Sequence, residues 1–227
     1  MSAPSDSTFT NPEQRIADLE RQLAERESEL AEARERETAI AEVLGIINSS
    51  PSDLTPVFEA ILDKALRLCG GTFGIIRTYD GNAFHLRAMR GVPDEIAELI
   101  RQPRRPPFTG MVIERLLAGE PVVEIANLAE QPGYRAGAPT VRAMADIGGA
   151  RSGLWVALRK DEALLGLIWV YRREVQPFSD KQIALLRNFA EQAVIAMENA
   201  RLLGELRQRT DDLTESLEYQ TATSDVL

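Results

Sequence analysis

Apolar residues recur every seventh position between Pro12 and Gly45, in a stretch that is otherwise charged. Ile16, Leu23, Leu30 and Leu44 fall on one series, and Leu19, Ala33, Ile40 and Ile47 fall three residues after its members. This is the a/d spacing of a coiled coil, broken by Glu37 on the first series and Arg26 on the second. Asn11 followed by Pro12 supplies a cap and a first-turn proline. The pattern predicts a helix over 12–47, about 54 Å long at ~1.5 Å per residue. Alone, its N-terminal half has nowhere to bury its leucine stripe. That favours a partner helix from a second chain over a solvated helix or one packed back on its own domain.

The texture changes at Asn48, where Asn48-Ser49-Ser50-Pro51-Ser52-Asp53 has turn chemistry. Val57, Phe58, Ile61, Leu62, Ala65, Leu66 and Leu68 predict an amphipathic helix over 56–68, stopped by Gly70-Gly71. Residues 73–79 and 83–90 read as two strands joined by the turn Asp80-Gly81-Asn82. Short helices are expected over 94–102, 110–118 and 140–147, and a short strand over 121–126. The run Pro103-Arg104-Arg105-Pro106-Pro107 fits neither a helix nor a central strand, and 131–139 reads as a Gly- and Pro-rich loop. Residues 152–159 and 164–172 are strands apolar on both faces, so the sheet must be covered on both sides. Ser179 with Gln182 forms a capping box, and Phe178 is placed to staple onto Ile183. The helix that follows continues beyond the domain, where Leu203, Leu206, Leu213 and Leu217 keep heptad spacing.

The expected organisation is a disordered N-terminus over 1–11, a coiled-coil helix over 12–47, a sheet-and-helix domain over 48–202 and a helix over 203–227. Residues 37–44 (ETAIAEVL) resemble 220–227 (QTATSDVL), and the same offset superposes Leu23 on Leu206 and Leu30 on Leu213. This repeat suggests that a second unit begins near the end of the chain. A coincidence between two charged leucine helices is the other reading.

Composition narrows the function classes. Of 227 residues, 26 are Lys or Arg and 35 are Asp or Glu, a formal charge of -9. That balance gives no footprint for nucleic acid or for an anionic membrane. No segment approaches the ~18 apolar residues of a membrane span, and the start MSAPSDSTFT lacks the layout of a secretory signal. A cytoplasmic location is expected. One cysteine, Cys69, and one histidine, His85, leave no internal disulfide and no His-Cys metal cluster.

The most specific stretch is Pro177-Phe178-Ser179-Asp180-Lys181-Gln182, followed by Leu185-Leu186, Phe189-Ala190 and Glu198-Asn199-Ala200-Arg201-Leu202. Cys69-Gly70-Gly71, Gly119-Glu120-Pro121-Val122, Arg151-Ser152 and Leu165-Gly166 add to it. On these residues the chain, over about residues 44–203, resembles a GAF domain of the type found in bacterial sensor histidine kinases and related signalling proteins. Ala157, Glu162 and Asn127 depart from it, standing where proline, a turn glycine and aspartate are usual. The resemblance implies an α+β fold: an antiparallel sheet of about five to six strands with helices on both faces. Long N- and C-terminal coiled-coil helices flank it. It further implies a small-molecule pocket on one face and a dimer through the terminal helices.

Few residues point to chemistry. Cys69 has no basic neighbour or adjacent histidine to lower its pKa, and reads as a buried structural thiol. It lacks the following histidine common at bilin-linking cysteines of GAF photoreceptors. A single cysteine also cannot form the disulfide of the GAF-type methionine sulfoxide reductases. His85 reads as a satisfied strand histidine rather than a haem ligand or phosphoacceptor. Arg101, Arg104 and Arg105 are the only basic concentration in the core domain, and either steer an anion toward a pocket or are simply solvated. The cyclic-nucleotide signature of some GAF domains is not found. A two-residue turn pairing Lys160 with Ala163 sets Trp155 opposite Ile168, with the indoles on opposite faces; a slip of one residue puts both on one face.

The expected function is a sensory or regulatory module of a two-component, histidine-kinase-type signalling protein. The alternative is a ligand-free dimerisation scaffold. No catalytic residues, metal ligands or specified cofactor emerge, so no enzyme activity is expected of this chain; a longer parent would carry a kinase or nucleotide cyclase domain. The candidate pocket is Phe73, Ile75, Phe84, Met89, Ile113, Val123 and Trp155. The candidate dimer interface is Ile16, Leu23, Leu30, Leu203, Leu206 and Leu213. The expected partners are a second copy of the chain and a small molecule, with neither nucleic acid nor membrane.

Overall fold

The computed structural model describes residues 12–49, 53–108 and 111–224. The expectations for 1–11, for the turn residues 50–52, for Gly110 as a helix start and for the last repeat positions 225–227 lie outside the described residues. The chain divides into two units, Met1–Ala41 and Glu42–Leu227. The first holds most of helix α1 (Pro12–Ser49), with Ile16, Leu19, Leu23 and Leu30 all exposed. Helix α1 runs two residues past the expected end, through Asn48 and Ser49.

The second unit is built on a five-stranded antiparallel sheet. Its strands are β1 (Phe73–Tyr79), β2 (Phe84–Arg90), β3 (Val122–Ile125), β4 (Ser152–Lys160) and β5 (Ala163–Arg172), in the order β2-β1-β5-β4-β3. Helix α2 (Thr55–Cys69) carries its apolar stripe inward through Val57, Phe58, Ile61, Leu62, Ala65 and Cys69. Gly70 ends it at φ +62°, and its N–H donates to the Leu66 carbonyl. Only glycine takes that left-handed turn without a Cβ penalty. Helix α7 (Asp180–Ser224) begins at the expected capping box: Gln182 N–H donates to Ser179 Oγ at 3.3 Å, and Ser179 N–H donates to Gln182 Oε1 at 3.0 Å. Helices α2 and α7 pack on each other and cover one sheet face, where Ile76, Leu154, Val156, Ile168 and Val170 are buried.

The other face carries Phe73, Ile75, Phe84, Val123, Trp155, Leu167, Trp169 and Tyr171. Over it lie helices α3 (Asp94–Arg101), α4 (Val112–Leu117), α5 (Pro132–Arg135) and α6 (Pro139–Asp146). The stretch expected to be a loop over 131–139 thus contains a helical turn. Pro132 accounts for it, since proline is suited to the first position of a helix.

The β4–β5 hairpin settles the tryptophan register. Lys160 does pair with Ala163 and Arg159 with Leu164, but Leu158 pairs with Gly166, so Leu165 is an extra, bulged residue. Beyond the bulge every pairing is shifted by one, and Trp155 stands directly opposite Trp169. Of the two registers left open by the sequence, the slipped one holds, and both indoles share a face. Gly166 beside the bulge is obligatory: a Cβ there would lie 2.2 Å from the Arg77 carbonyl oxygen on β1.

Candidate functional site

A half-open cavity of about 60 Å³ lies between the sheet and the helices over its second face. Its floor is Trp155, Trp169 and Tyr171. These rings meet edge to face at 6.2 Å (Trp155–Trp169), 5.1 Å (Trp155–Tyr171) and 5.8 Å (Trp169–Tyr171). Such pairs contribute about 0.5–1.5 kcal/mol beyond their burial and fix one another's orientation. The walls are Met111, Ile113 and Leu128 on one side and Thr140, Val141 and Met144 of α6 on the other.

Among the described residues, Arg104 is the one charged residue lining the cavity. Its backbone pairs with Phe84 in an isolated bridge, Phe84 N–H donating to Arg104 O at 2.8 Å and Arg104 N–H to Phe84 O at 2.9 Å. Pro103 and Pro106 flank it and cannot donate, which keeps this segment from becoming a sixth strand. The guanidinium turns inward, where it donates to Thr140 Oγ1 and lies 3.3 Å from Met111 Sδ. Burial holds its pKa below the usual arginine value. Arg101 instead pairs with Glu98 on the surface and Arg105 is exposed, so the arginine cluster divides, with only its middle member at the site.

Beneath the floor is Arg77, fully buried on β1. It donates to the carbonyls of Phe84 at 3.0 Å, Gln102 at 3.1 Å and Ile100, so it satisfies the otherwise orphaned C-terminal end of α3. Its charge lies 6.0 Å from the Trp169 ring. Burial first, and then repulsion from Arg104, lower its pKa to about 10. Among the described residues the partners of Arg77 and Arg104 are carbonyls, a hydroxyl and a thioether, with no carboxylate. The Tyr171 phenol, wholly buried, is held above its usual pKa by desolvation against the opposing pull of both arginines. The Trp169 indole N–H is buried with no hydrogen-bond partner among the described residues.

Of the sequence candidates, Ile113 and Trp155 line the cavity. Phe73, Ile75, Phe84 and Val123 are fully buried on the same sheet face, in the core around it, and Met89 packs against that core. His85 Nε2 lies 2.7 Å from Asp80 Oδ2, and this contact helps hold the Asp80 carboxyl well below the usual range, behind two backbone N–H donors from Ala83 and Asn82. Cys69 is buried 3.7 Å from the Gln182 carbonyl, and desolvation pushes its thiol up to about 11. No group of His, Cys, Asp and Glu able to hold a metal occurs among the described residues. No helix there is long and apolar enough to cross a membrane.

Arg172 ends β5 on the face opposite the cavity and links it to α7. It donates to Cys69 O at 2.5 Å, Pro177 O at 2.8 Å and Gln182 Oε1 at 2.9 Å, and stacks on Phe178 at 4.0 Å. Gln182 Nε2 donates to the same Cys69 carbonyl at 3.3 Å. The capping glutamine of α7 is thereby joined to the end of α2 and to the strand that carries Trp169 and Tyr171. At the hairpin tip Lys160 pairs with Glu198 on α7, which also pairs with Arg201 at 3.1 Å.

A family model for the GAF domain matches residues 51–198. The chain belongs to the GAF domain family. GAF domains are sensory and regulatory modules of signalling proteins. The fold is similar to the GAF domain of a phosphoenolpyruvate-protein phosphotransferase from Coxiella burnetii, at TM-score 0.61 and 15% identity over 76% of this chain and 98% of that one. It is similar to a domain of a two-component sensor histidine kinase protein from Sinorhizobium meliloti 1021, at TM-score 0.54 and 16% identity over 67% and 96%. It is also similar to a free methionine-R-sulfoxide reductase from Neisseria meningitidis, at TM-score 0.57 and 14% identity over 74% and 91%. No curated protein matches the chain.

Proposed function

We propose that this GAF domain is the ligand-sensing module of a cytoplasmic signal-transduction protein of the histidine-kinase type, and that it works as a homodimer zipped through its terminal helices. The observation that carries this reading is the double-sided role of β5. Trp169 and Tyr171 face the cavity, while Arg172, next in sequence, holds the start of α7 from the other side of the sheet. A molecule seated on the aromatic floor shifts β5, and the shift reaches α7 through Arg172 and Gln182. Packed interfaces switch between discrete arrangements rather than yielding smoothly, so a small displacement is enough. The ligand must prefer one arrangement by a few kcal/mol to bias output.

The heptad leucines support the dimer: Ile16, Leu23, Leu30, Leu206 and Leu213 are exposed, and Leu203 is half-buried. The kinase context is supported by the sensor kinase domain of like fold. No catalysis is assigned to this chain. Its lone Cys69 is buried with a raised pKa, which argues against reductase chemistry like that named for the Neisseria protein.

One observation favours the alternative, a ligand-free scaffold: three interlocked aromatic rings leave only about 60 Å³. Native mass spectrometry of the full chain separates the two. A dimer that retains a small molecule is expected. A monomer at micromolar concentration overturns the dimer, and a bare dimer after gentle purification supports the scaffold.

A further inference from the structure

We propose that the cavity takes a small organic carboxylate with an apolar body of one ring or less, its anionic end read by Arg104 and Thr140 and its body laid on the Trp155–Trp169–Tyr171 floor. This rests on the reading of the cavity as a sensing pocket and names the chemistry of what it senses.

Charge comes first. Two guanidinium groups stand at and beneath the cavity, Arg104 in its lining and Arg77 behind Trp169, and among the described residues neither faces a carboxylate. Buried charges are ordinarily paired. Arg77 directs both terminal nitrogens to three backbone carbonyls, its Nε being buried without a partner among the described residues, and it contributes field rather than contact. Arg104 has capacity left. Its Nη2 rests on the Met111 thioether, a weak acceptor that a carboxylate oxygen would replace with a much stronger bond. Thr140 Oγ1 already accepts from Arg104, so its O–H remains free to donate. The unpaired indole N–H of Trp169, a residue only 5% exposed, is a further donor at the same floor. Helix α6 opens with Pro139 and presents Thr140 and Val141 of its first turn to the cavity, and that end of a helix also favours negative charge.

The remaining lining decides between anions. Apart from Gln131 it is apolar or aromatic, which a multiply charged inorganic phosphate would have to face without its water. One planar guanidinium fork matches one carboxylate. Cations are disfavoured by both arginines despite the aromatic floor. The small volume sets the limit on the body, and Met111 and Met144 are flexible enough to adapt around a ring.

The chain has two tryptophans and both line the cavity, so tryptophan emission, excited on the red edge where tyrosine does not absorb, reports on this site alone. The probe is benzoate, titrated into the full chain at pH 7, beside benzamide, benzylamine and inorganic phosphate. Benzoate is expected to change the emission saturably, with benzamide at least about tenfold weaker and no effect from benzylamine. Arg104→Gln should weaken benzoate about tenfold or more and leave benzamide unchanged, and Arg104→Lys should recover part of the loss; thermal melts verify that both variants fold. If benzamide or benzylamine binds as well as benzoate, or if R104Q leaves benzoate untouched, the carboxylate assignment falls while a sensing pocket stands. Phosphate competing as strongly as benzoate also overturns it, in favour of an inorganic anion. Emission that no probe alters at millimolar concentration sinks the sensing pocket itself, and the carboxylate with it.

Discussion

At the scale of single residues, Arg77 and Arg172, the two arginines buried among the described residues, do different work, Arg77 closing the end of α3 and Arg172 the start of α7, and neither is announced by the sequence. Arg172 gathers the carbonyls of Cys69 and Pro177 and the side chain of Gln182 into one knot. Truncation to Ala would leave the Pro177 carbonyl without its donor, remove one of the two bonds to Cys69 O and to Gln182 Oε1, and lose the stacking on Phe178, the unsatisfied acceptor alone costing about 1–3 kcal/mol. Arg172→Ala is therefore expected to lower unfolding stability by about 2–4 kcal/mol, read from the midpoint of a urea titration at unchanged slope. Cys69 gives a pH prediction from the same corner. Its folded pKa of about 11 lies above the unfolded value, so the folded state keeps its proton where the unfolded chain loses it. Stability is then full below pH ~9 and declines as pH rises toward ~11, a slope that Cys69→Ala should flatten. The same burial should keep the thiol inert to a disulfide reagent at pH 8 until denaturant unfolds the chain.

At the scale of elements, periodicity located most of the fold. The strand over 73–79 and the two-sided burial of 152–159 and 164–172 could be read from their apolar runs, as could the capping box at Ser179. Alternation also put Phe73, Ile75, Phe84, Val123 and Trp155 on one sheet face, and the cavity lies over that face. What it missed was the wall. Met111 and Gln131 stand in the turns just before α4 and α5, Thr140 and Met144 lie on a helix expected at 140–147 but too short for its pattern to show which side meets the sheet, and Trp169 and Tyr171 reach the cavity only because Leu165 bulges. A bulge costs one residue of register and leaves no mark in composition, although Gly166 beside it was a clue. Arg104 was visible as part of a basic run, but only the bridge to Phe84 turns it inward. The register can be checked spectroscopically. Two indoles 6.2 Å apart and at 72° should couple and give a paired circular-dichroism band. Either Trp155→Phe or Trp169→Phe alone should abolish the whole band rather than half of it; a half-loss would mean that the two rings do not face each other.

At the scale of the whole molecule, the exposed leucines make the test of assembly. Leu206 is 62% exposed and Leu213 66% within a single chain, so charges placed there disturb no packing inside the subunit. The two residues are seven apart on one helix, and a heptad seam would bury both against a mate. Leu206→Asp combined with Leu213→Asp is therefore expected to leave the melting of the sheet domain within a degree or two of the parent. The same double change should convert a dimer to a monomer in sedimentation velocity at about 10 µM, because two unpaired carboxylates in a buried seam are unfavourable by several kcal/mol. Leu23→Asp should act in the same direction if α1 joins the seam. Were the double variant to sediment like the parent, the terminal helix would not be the interface. Displacement of α7 by way of Arg172 would then have no paired helix to act on, and the ligand-free scaffold would lose its purpose along with the sensor.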